Sequence, residues 1–295
     1  MSHASVVSSA SVPGATVPSE NRRKPLAISA VEAALKPPTR ERIESIDYFA
    51  ETESTNRHLL HTALPPTDKA RVALADYQTG GRGRQGRQWT MPFGAGIALS
   101  VAWRFASRPD DLSAFSLAAG AATRRAIGSA CNVWVELKWP NDLIVAGGKL
   151  GGILIELGTQ GAGCLVVAGV GINVDVPGEV LDGIEGFSQG ARNLRAAAPA
   201  ATVDRDRLAA CLIDELVDLF AGYAATGFAP YRAEFEQAHI LQNQSVKLHT
   251  TVGIQHGRVL GIASDGALLV EDANGRAERF IAGDVTVRSD VDARN

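Results

Sequence analysis

The chain has 295 residues, 45% hydrophobic and 21% charged, with a formal net charge of −3. That length holds one large domain and one small one, and the near-balanced charge supplies no global attraction to nucleic acid or to an anionic membrane. No apolar run approaches the roughly 20 residues of a membrane span. The three cysteines, Cys131, Cys164 and Cys211, form no CxxC pair, and the six histidines do not cluster at ligand spacing. Buried thiols in a reducing, cytoplasmic compartment are therefore expected rather than a disulfide frame or a cysteine–histidine metal site.

Residues 1–42 read as a flexible tail, rich in Ser, Ala, Val and Pro, with a short basic group at Arg22-Arg23-Lys24. Ile28 to Leu35 has helical composition and is stopped by Pro37-Pro38. The stretch is too short for a complete helix-turn-helix or winged-helix domain. From Ile43 the chain alternates between elements. Ser54-Thr55-Asn56 is an N-cap signal ahead of Leu59, Leu60, Ala63 and Leu64 at helical spacing, and Pro65-Pro66 ends that helix. Arg71 to Tyr77 and Gly96 to Phe105 read as strands, Leu112 to Ala130 as a helix. Further strands are expected at Val133–Lys138, Leu143–Ala146, Gly152–Leu157 and Cys164–Val176, the last apolar on both faces and so central in a sheet.

Leu208 to Tyr223 carries the clearest amphipathic helical pattern, closed near Gly227, and Pro230 to Phe235 adds a turn of helix. Five short strands follow, at Val246–His249, Gly257–Ala263, Ala267–Glu271, Ala277–Ile281 and Val285–Arg288, with tight-turn signals at Asp265-Gly266 and Asn274-Gly275. That spacing implies a small closed or nearly closed β barrel. The expected architecture is an α+β catalytic domain over 43–240 and a β module over 241–295.

Four segments carry chemistry. In Gly80-Gly81-Arg82-Gly83-Arg84-Gln85-Gly86-Arg87-Gln88-Trp89, three arginines alternate with glycines, so guanidinium forks and backbone amides can surround one anion; alternatively it is a solvated segment that touches RNA. It lacks the Lys-Ser/Thr end of a Walker loop. Lys138-Trp139-Pro140-Asn141-Asp142-Leu143 places Lys, Asn and Asp between two strands, either as a cleft wall with a carboxylate suited to Mg²⁺ or as a hydrogen-bonded turn. Lys149-Leu150-Gly151-Gly152-Ile153-Leu154 leads a lysine into a strand through two glycines, a pattern for close approach of a ligand or backbone. In Gly169-Val170-Gly171-Ile172-Asn173, a polar Asn interrupts a buried run and must find a partner, in the protein or in a ligand.

Taken together, the order and wording of these segments resemble the biotin protein ligases, of the class II aminoacyl-tRNA-synthetase-like superfamily that also holds lipoate ligases. The elements are E-x-STN (Glu51 or Glu53 through Asn56), YQTGGRGRQGRQW, the FG-x-G strand, KWPNDL, GKLGGIL-E and GVGIN, with GALLVED and GDVTVRS near the C-terminus. The resemblance spans about residues 45–290. It implies an α+β fold, a mixed sheet flanked by helices with a C-terminal SH3-like barrel. The implied activity is ATP- and Mg²⁺-dependent formation of biotinyl-adenylate and transfer of biotin to a lysine of a biotin carboxyl carrier protein.

The resemblance also implies roles for individual residues. Ser54, Thr55 and Gln78 would bond the ureido end of biotin, with Asn56 and Gly152 beside it and Ile153 and Leu154 along its tail. Gly81 and Arg82 would close over the carboxyl group, Arg84 and Arg87 would hold the nucleotide phosphates, and Trp89 would seat the loop. Lys149, with Arg82 and Arg84, would act at the reacting centre. Asn141, Asp142 and Asn173 would handle phosphate and metal, Phe187 would face adenine, and Arg288 would reach back from the C-terminal module. Monofunctional action without DNA binding is expected, as a monomer or homodimer, with Cys164–Val176 or Gly152–Leu157 as the edge strand for pairing. A lipoate or octanoyl ligase is the alternative within the superfamily.

Overall fold

The computed structural model describes residues 23–158, 163–183, 190–197, 203–250, 253–281 and 285–289, excepting the side chains of 285, 286, 288 and 289. The first part of the chain contributes α1 (Ile28–Ala34), α2 (Pro37–Arg42), β1 (Ile43–Phe49), α3 (Thr55–His61), β2 (Ala70–Ala75), β3 (Gly96–Phe105) and α4 (Phe115–Cys131). Next come β4 (Glu136–Lys138), β5 (Asp142–Val145), β6 (Gly148–Gly158) and β7 (Cys164–Asn173), then α5 (Gly178–Asp182), α6 (Leu194–Ala197), α7 (Arg205–Thr226) and α8 (Ala229–Ala238). The C-terminal strands are β8 (Ser245–Thr250), β9 (Gly253–Ile262), β10 (Leu268–Glu271), β11 (Ala277–Phe280) and β12 (Val285–Ser289). No helix among the described residues is long and apolar enough to cross a membrane.

β3 is the reference strand of the larger sheet because both its faces are covered. Ile97, Leu99, Val101, Trp103 and Phe105 belong to the main core with α4 and α7, where Phe220 stacks on Trp103 at 6.1 Å and tilts against Phe115 at 4.7 Å. The alternate residues turn to the opposite face: Ala102 packs with Leu59 of α3, and Ala98 with Met91 and Val176. The seven strands run in the order β1-β2-β3-β7-β6-β5-β4, with β1 parallel to β2 and the remaining pairs antiparallel. The architecture is the expected mixed α+β body. β1 was not expected as a strand. Its sequence, IESIDYF, buries only Ile46, as suits a sheet edge.

Of the two strands expected as a possible edge, one is corrected and the other holds in part. The strand Cys164–Val176 is not an edge, because β7 lies between β3 and β6. β6 is internal only over its first half: β5 pairs with Gly148 to Gly152, while Leu154 to Gly158 pair with β7 alone. β6 begins at Gly148, four residues before the Gly152 expected.

The tail expectation is also corrected for residues 26–42. Leu26, Val31 and Leu35 are buried in the main core. The Leu26 amide donates to Asp76 Oδ2 (3.1 Å), the Ala27 amide to Asp206 Oδ1 (3.0 Å) and the Lys36 amide to Asp214 Oδ1 (3.1 Å). Apolar spacing over Leu26–Leu35 is too brief to stand alone as a helix, and α7 supplies the packing that makes it fold. Residues 1–22 of the expected tail lie outside the described residues.

Asp76, fully buried, is the hub of this contact. Its Oδ1 accepts from Arg205 Nη2 (2.5 Å), and Oδ2 accepts from the Tyr48 hydroxyl (2.5 Å) besides the Leu26 amide. Arg205 also donates to Gly96 O (3.0 Å) and Lys24 O (2.9 Å). One carboxylate thus joins β1, β2, α7 and the N-terminal segment.

The C-terminal strands form one antiparallel sheet, β11-β10-β9-β8-β12. The five expected strands are present, but among the described residues β11 and β12 do not pair, so the sheet is open between them where a closed or nearly closed barrel was expected. The turn at Asp265-Gly266 docks on the body: Trp139 Nε1 donates to Gly266 O (3.0 Å) and Ser113 Oγ to Asp265 O (2.7 Å). Gly266 adopts φ +86° with Ala114 against it, so a side chain fits there neither conformationally nor spatially. His239 closes the joint between α8 and the module. It is 4% exposed, and burial, reinforced by the nearby Lys138 charge, pushes its pKa from 6.5 down to about 3.

Two outcomes follow from these contacts. Asp76→Ala leaves Arg205 and Tyr48 without their buried partner and should cost about 3–5 kcal/mol in urea unfolding; a loss below about 1 kcal/mol would show that the hub is not structural. The unfolded chain binds a proton at His239 that the folded chain refuses. The contribution of His239 to stability is therefore level above pH 6.5 and is lost as pH drops toward 3, by up to about 1.4 kcal/mol per unit. His239→Phe should flatten that slope in pH-dependent melts.

Candidate active site

The cleft, about 860 Å³, lies on the face of the larger sheet away from α4 and α7. Its floor is made by β3, β7 and β6, and two rungs of that floor are stripped of side-chain bulk. Ser100, Gly169 and Leu154 form one rung, and Ala98, Gly171 and Gly152 the next. A Cβ on Gly169 would run into the Asn56 carboxamide, and one on Gly171 would lie 2.7 Å from the Trp89 ring. The GVG glycines are there so that two side chains from loops can lie directly on the strand backbone.

The polar end of the cleft is set by α3. Ser54 Oγ caps that helix by accepting from the Arg57 amide (3.4 Å). The Thr55 amide donates to Gln78 Oε1 (2.8 Å), and the Thr55 hydroxyl lies 3.1 Å from the same oxygen. Asn56, 4% exposed, donates through Nδ2 to Glu156 Oε2 (2.7 Å) and Leu154 O (3.3 Å). Ser100 Oγ lies 2.7 Å from Thr55 Oγ1 and 2.6 Å from Asn56 Oδ1. A cluster of neutral donors and acceptors of this kind, walled by Leu99, Ile153 and Leu154, suits the polar head of an otherwise apolar ligand.

The other end is basic. The Gly/Arg segment folds as a tight hairpin, with an Arg82–Gln88 bridge, Gly83 N donating to Arg87 O (2.7 Å) and Trp89 N to Gly81 O (2.9 Å). Its tip, Arg84–Gly86, takes left-handed backbone at Gln85 (φ 57°) and Gly86 (φ 73°). Arg82, Arg84 and Arg87 all line the cleft. Burial lowers the pKa of the Arg84 guanidinium against the pull of Asp142, and Arg84 Nη1 donates to Asn141 Oδ1 (3.3 Å). A desolvated cation in that position gains from an anionic ligand.

Across from the hairpin, Lys149 at the start of β6 is ion-paired with Asp142 at the start of β5. Asn141 is held from both sides: its Nδ2 donates to Ile153 O (2.7 Å), and its carbonyl accepts from the Ile153 amide (3.0 Å). Among the described residues no three His, Cys, Asp or Glu side chains form a metal-holding group; the cleft carries two carboxylates, Asp142 ion-paired with Lys149 and Glu179 elsewhere on the lining.

The structure brings together on one cleft Ser54, Thr55, Asn56, Gln78, Arg82, Arg84, Arg87, Trp89, Asn141, Asp142, Lys149 and Gly152. Gly81 is not on the wall. It lies behind it, with no room for a Cβ between Gln78 Nε2 and the Trp89 backbone. Asn173 is 1% exposed and off the wall, and neither side-chain atom has a partner. Phe187 lies outside the described residues. Arg288 sits on β12 opposite Lys247, while Val287 beside it reaches the cleft. Sequence reasoning passed over Ser100 and, though Glu156 closes the quoted GKLGGIL-E motif, gave that residue no role. The signal for Ser100 was the one used for Asn173, a polar residue inside an apolar strand (GIALSVAW).

Gly169→Ala should displace Asn56 from Ser100 and Glu156 and lower stability by about 1–3 kcal/mol. A thermal melt equal to that of the unsubstituted chain would contradict the close approach described for this rung.

Two family models match the chain in order. The Biotin/lipoate A/B protein ligase family matches residues 48–173, and the Biotin protein ligase C terminal domain matches residues 242–288. The bifunctional ligase/repressor of Escherichia coli is 35% identical over 238 residues, covering 80% of this chain and 72% of that protein. The biotin–[acetyl-CoA-carboxylase] ligase of Mycobacterium tuberculosis is 35% identical over 252 residues, covering 81% and 88%. The biotin protein ligase of Aquifex aeolicus, solved in complex with biotin and ATP, shares the fold with a TM-score of 0.69 at 23% identity, over 83% of this chain and 98% of that one. By the extent of these relatives and by both family models, the chain belongs to the biotin protein ligases.

Proposed function

We propose that the chain is an ATP-dependent biotin–protein ligase, which joins biotin to AMP and then transfers biotin to a lysine of a carrier protein. The observation that carries this reading is one cleft with a neutral hydrogen-bonding end at Thr55–Gln78 and a cationic end at Arg82, Arg84, Arg87 and Lys149. A bicyclic urea with an apolar tail and a terminal carboxylate matches that polarity, and a nucleotide triphosphate matches the basic end.

In the first step a carboxylate oxygen of biotin attacks the α-phosphorus of ATP, and the bond to pyrophosphate breaks. Two anions must meet, so the barrier is lowered by cations already aimed at the developing charge. Lys149 would stand at the carboxylate and α-phosphate, with Arg82 and Arg84 beside it. Arg84 and Arg87 would hold the phosphates, and Asn141 would keep Arg84 oriented. Ser54, Thr55, Asn56 and Gln78 would fix the ureido head, Gly152 would let the ligand approach β6, and Gly81 would let the hairpin fold back over the linkage. Trp89, seated on Gly171, would anchor the hairpin as a cover against water.

One carboxylate together with phosphate oxygens suits Mg²⁺, which keeps most of its water and takes one or two protein ligands. Asp142 would hold it, and when bound it supplies charge neutralisation for the departing pyrophosphate. Asn173, a buried amide without a partner, would be satisfied on the nucleotide side, with Phe187 against adenine and Arg288 contributing from β12. In the second step the neutral amine of the acceptor lysine attacks the carbonyl carbon and AMP leaves.

This reading includes a class II synthetase-like body over 43–240 with an SH3-like module over 241–295, a cytoplasmic location, and a biotin carboxyl carrier protein as partner. It involves no DNA binding, in a monomer or homodimer.

Lys149→Ala and Arg84→Ala should lower biotin-dependent ATP–pyrophosphate exchange by on the order of 10²–10³-fold while thermal melts hold. Exchange retained at the unsubstituted rate would remove both residues from the reacting centre.

A further inference from the structure

Two hydroxyl protons must serve three contacts here, Ser100–Asn56 at 2.6 Å, Ser100–Thr55 at 2.7 Å and Thr55–Gln78 at 3.1 Å, and one arrangement fills both short ones. Glu156 Oε2 and Leu154 O are both acceptors, so the Asn56 nitrogen must face them, and the amide orientation is fixed with Oδ1 toward Ser100. Asn56 Oδ1 can only accept, and it lies 2.6 Å from Ser100 Oγ, so the single Ser100 proton goes there. The 2.7 Å contact between Ser100 and Thr55 is then a hydrogen bond only if Thr55 donates. Thr55 spends its one proton on Ser100 rather than on Gln78 Oε1, which is farther at 3.1 Å and already accepts from the Thr55 amide.

We propose that Glu156 and Ser100 are positioning residues that make the Thr55 hydroxyl a committed acceptor toward the cleft, so that the site selects a ligand head presenting an N–H there. The inference rests on the reading of this end as the ureido subsite. The order of donation runs Thr55 to Ser100 to Asn56 to Glu156, and the carboxylate, the nearer of the two acceptors on the Asn56 nitrogen, sets its direction together with Leu154 O. Asn56 and Ser100 are 4% and 0% exposed, so no water is on hand to supply a missing proton or absorb a surplus one. The Gln78 amide is fixed by the same logic. Its Oε1 takes the Thr55 amide proton, which leaves Nε2 as a donor beside Gly81. An acceptor at Thr55 and a donor at Gln78 side by side complement the N–H and C=O of a cyclic urea. A ring lacking the N–H, such as a dithiolane or a carbamate with oxygen at that place, would set lone pair against lone pair.

The test uses the full chain and two variants, Glu156→Gln and Ser100→Ala, with dissociation constants measured calorimetrically for biotin and for the two cyclic carbamate analogues in which one ring N–H is replaced by oxygen. In the unsubstituted protein one isomer should bind on the order of 100-fold more weakly than biotin. The carboxamide introduced by Glu156→Gln can donate as well as accept, which leaves only the longer contact to Leu154 O (3.3 Å) holding the Asn56 orientation, and the methyl group left by Ser100→Ala breaks the chain, so either change loosens the hold on the Thr55 proton. Biotin should then weaken about tenfold while the rejected isomer holds its affinity or gains, compressing the discrimination to about tenfold or less. Parallel weakening of both ligands would assign Glu156 and Ser100 a merely structural part and overturn the inference. So would an unsubstituted protein that binds biotin and both isomers alike, which would leave the ureido reading standing. No binding of biotin at all would overturn that reading and the inference together.

Discussion

The constraint on which the rest of the molecule depends is the absence of side-chain bulk along two rungs of the central sheet. At Gly169 and Gly171 of β7, and at Gly152 and Ala98 on either side, backbone itself is the floor. Asn56 lies on one rung and Trp89 on the other. These are the anchor points of α3 and of the Gly/Arg hairpin, the two elements that carry the neutral and the cationic ends of the cleft. Glycine costs order in a strand. Here that cost is met by β7 being central, paired along its length to β3 and largely to β6.

The polarity of the cleft follows from what each anchor brings. α3 presents neutral groups whose hydrogen bonds end in buried partners, while the hairpin presents guanidinium groups whose partners, Asn141 and Asp142, sit on the β4–β5 corner. That corner is in turn held by the C-terminal module, because Trp139 and Ser113 donate to the Asp265-Gly266 turn. The second sheet therefore buttresses the segment that carries Asn141 and Asp142, whatever else it does. On the opposite side the Asp76 hub ties the N-terminal segment to β1, β2 and α7, one strand from the floor.

Much of this was legible in the sequence, for identifiable reasons. The paired and triple motifs fell on one cleft because each combines glycine with a charged or amide side chain, and such combinations are rarely spent on packing alone. β3, α4, α7 and the C-terminal strands were legible because their apolar periods match burial on one or both faces. What escaped was decided by tertiary contact. β1 looks polar because it is an edge, and residues 26–35 look like tail because their few apolar groups become a helix only against α7. The central place of β7 was legible in its two apolar faces; which strands flank it, and how far β5 covers β6, depends on strand order, which local pattern does not encode. Ser100, and the part played by Glu156 within its motif, were not legible because their partners lie 44 to 100 residues away in the chain.

The central claim, that this cleft activates biotin with ATP and passes it to protein, is tested most directly by incubating the purified chain with biotin, ATP, Mg²⁺ and an apo biotin carboxyl carrier domain, with lipoate in parallel, and reading transfer by streptavidin blot and by mass. The account predicts a carrier domain heavier by one biotinyl group, dependent on ATP and absent with lipoate. Labelling by lipoate without biotin, or no transfer of either, would contradict it.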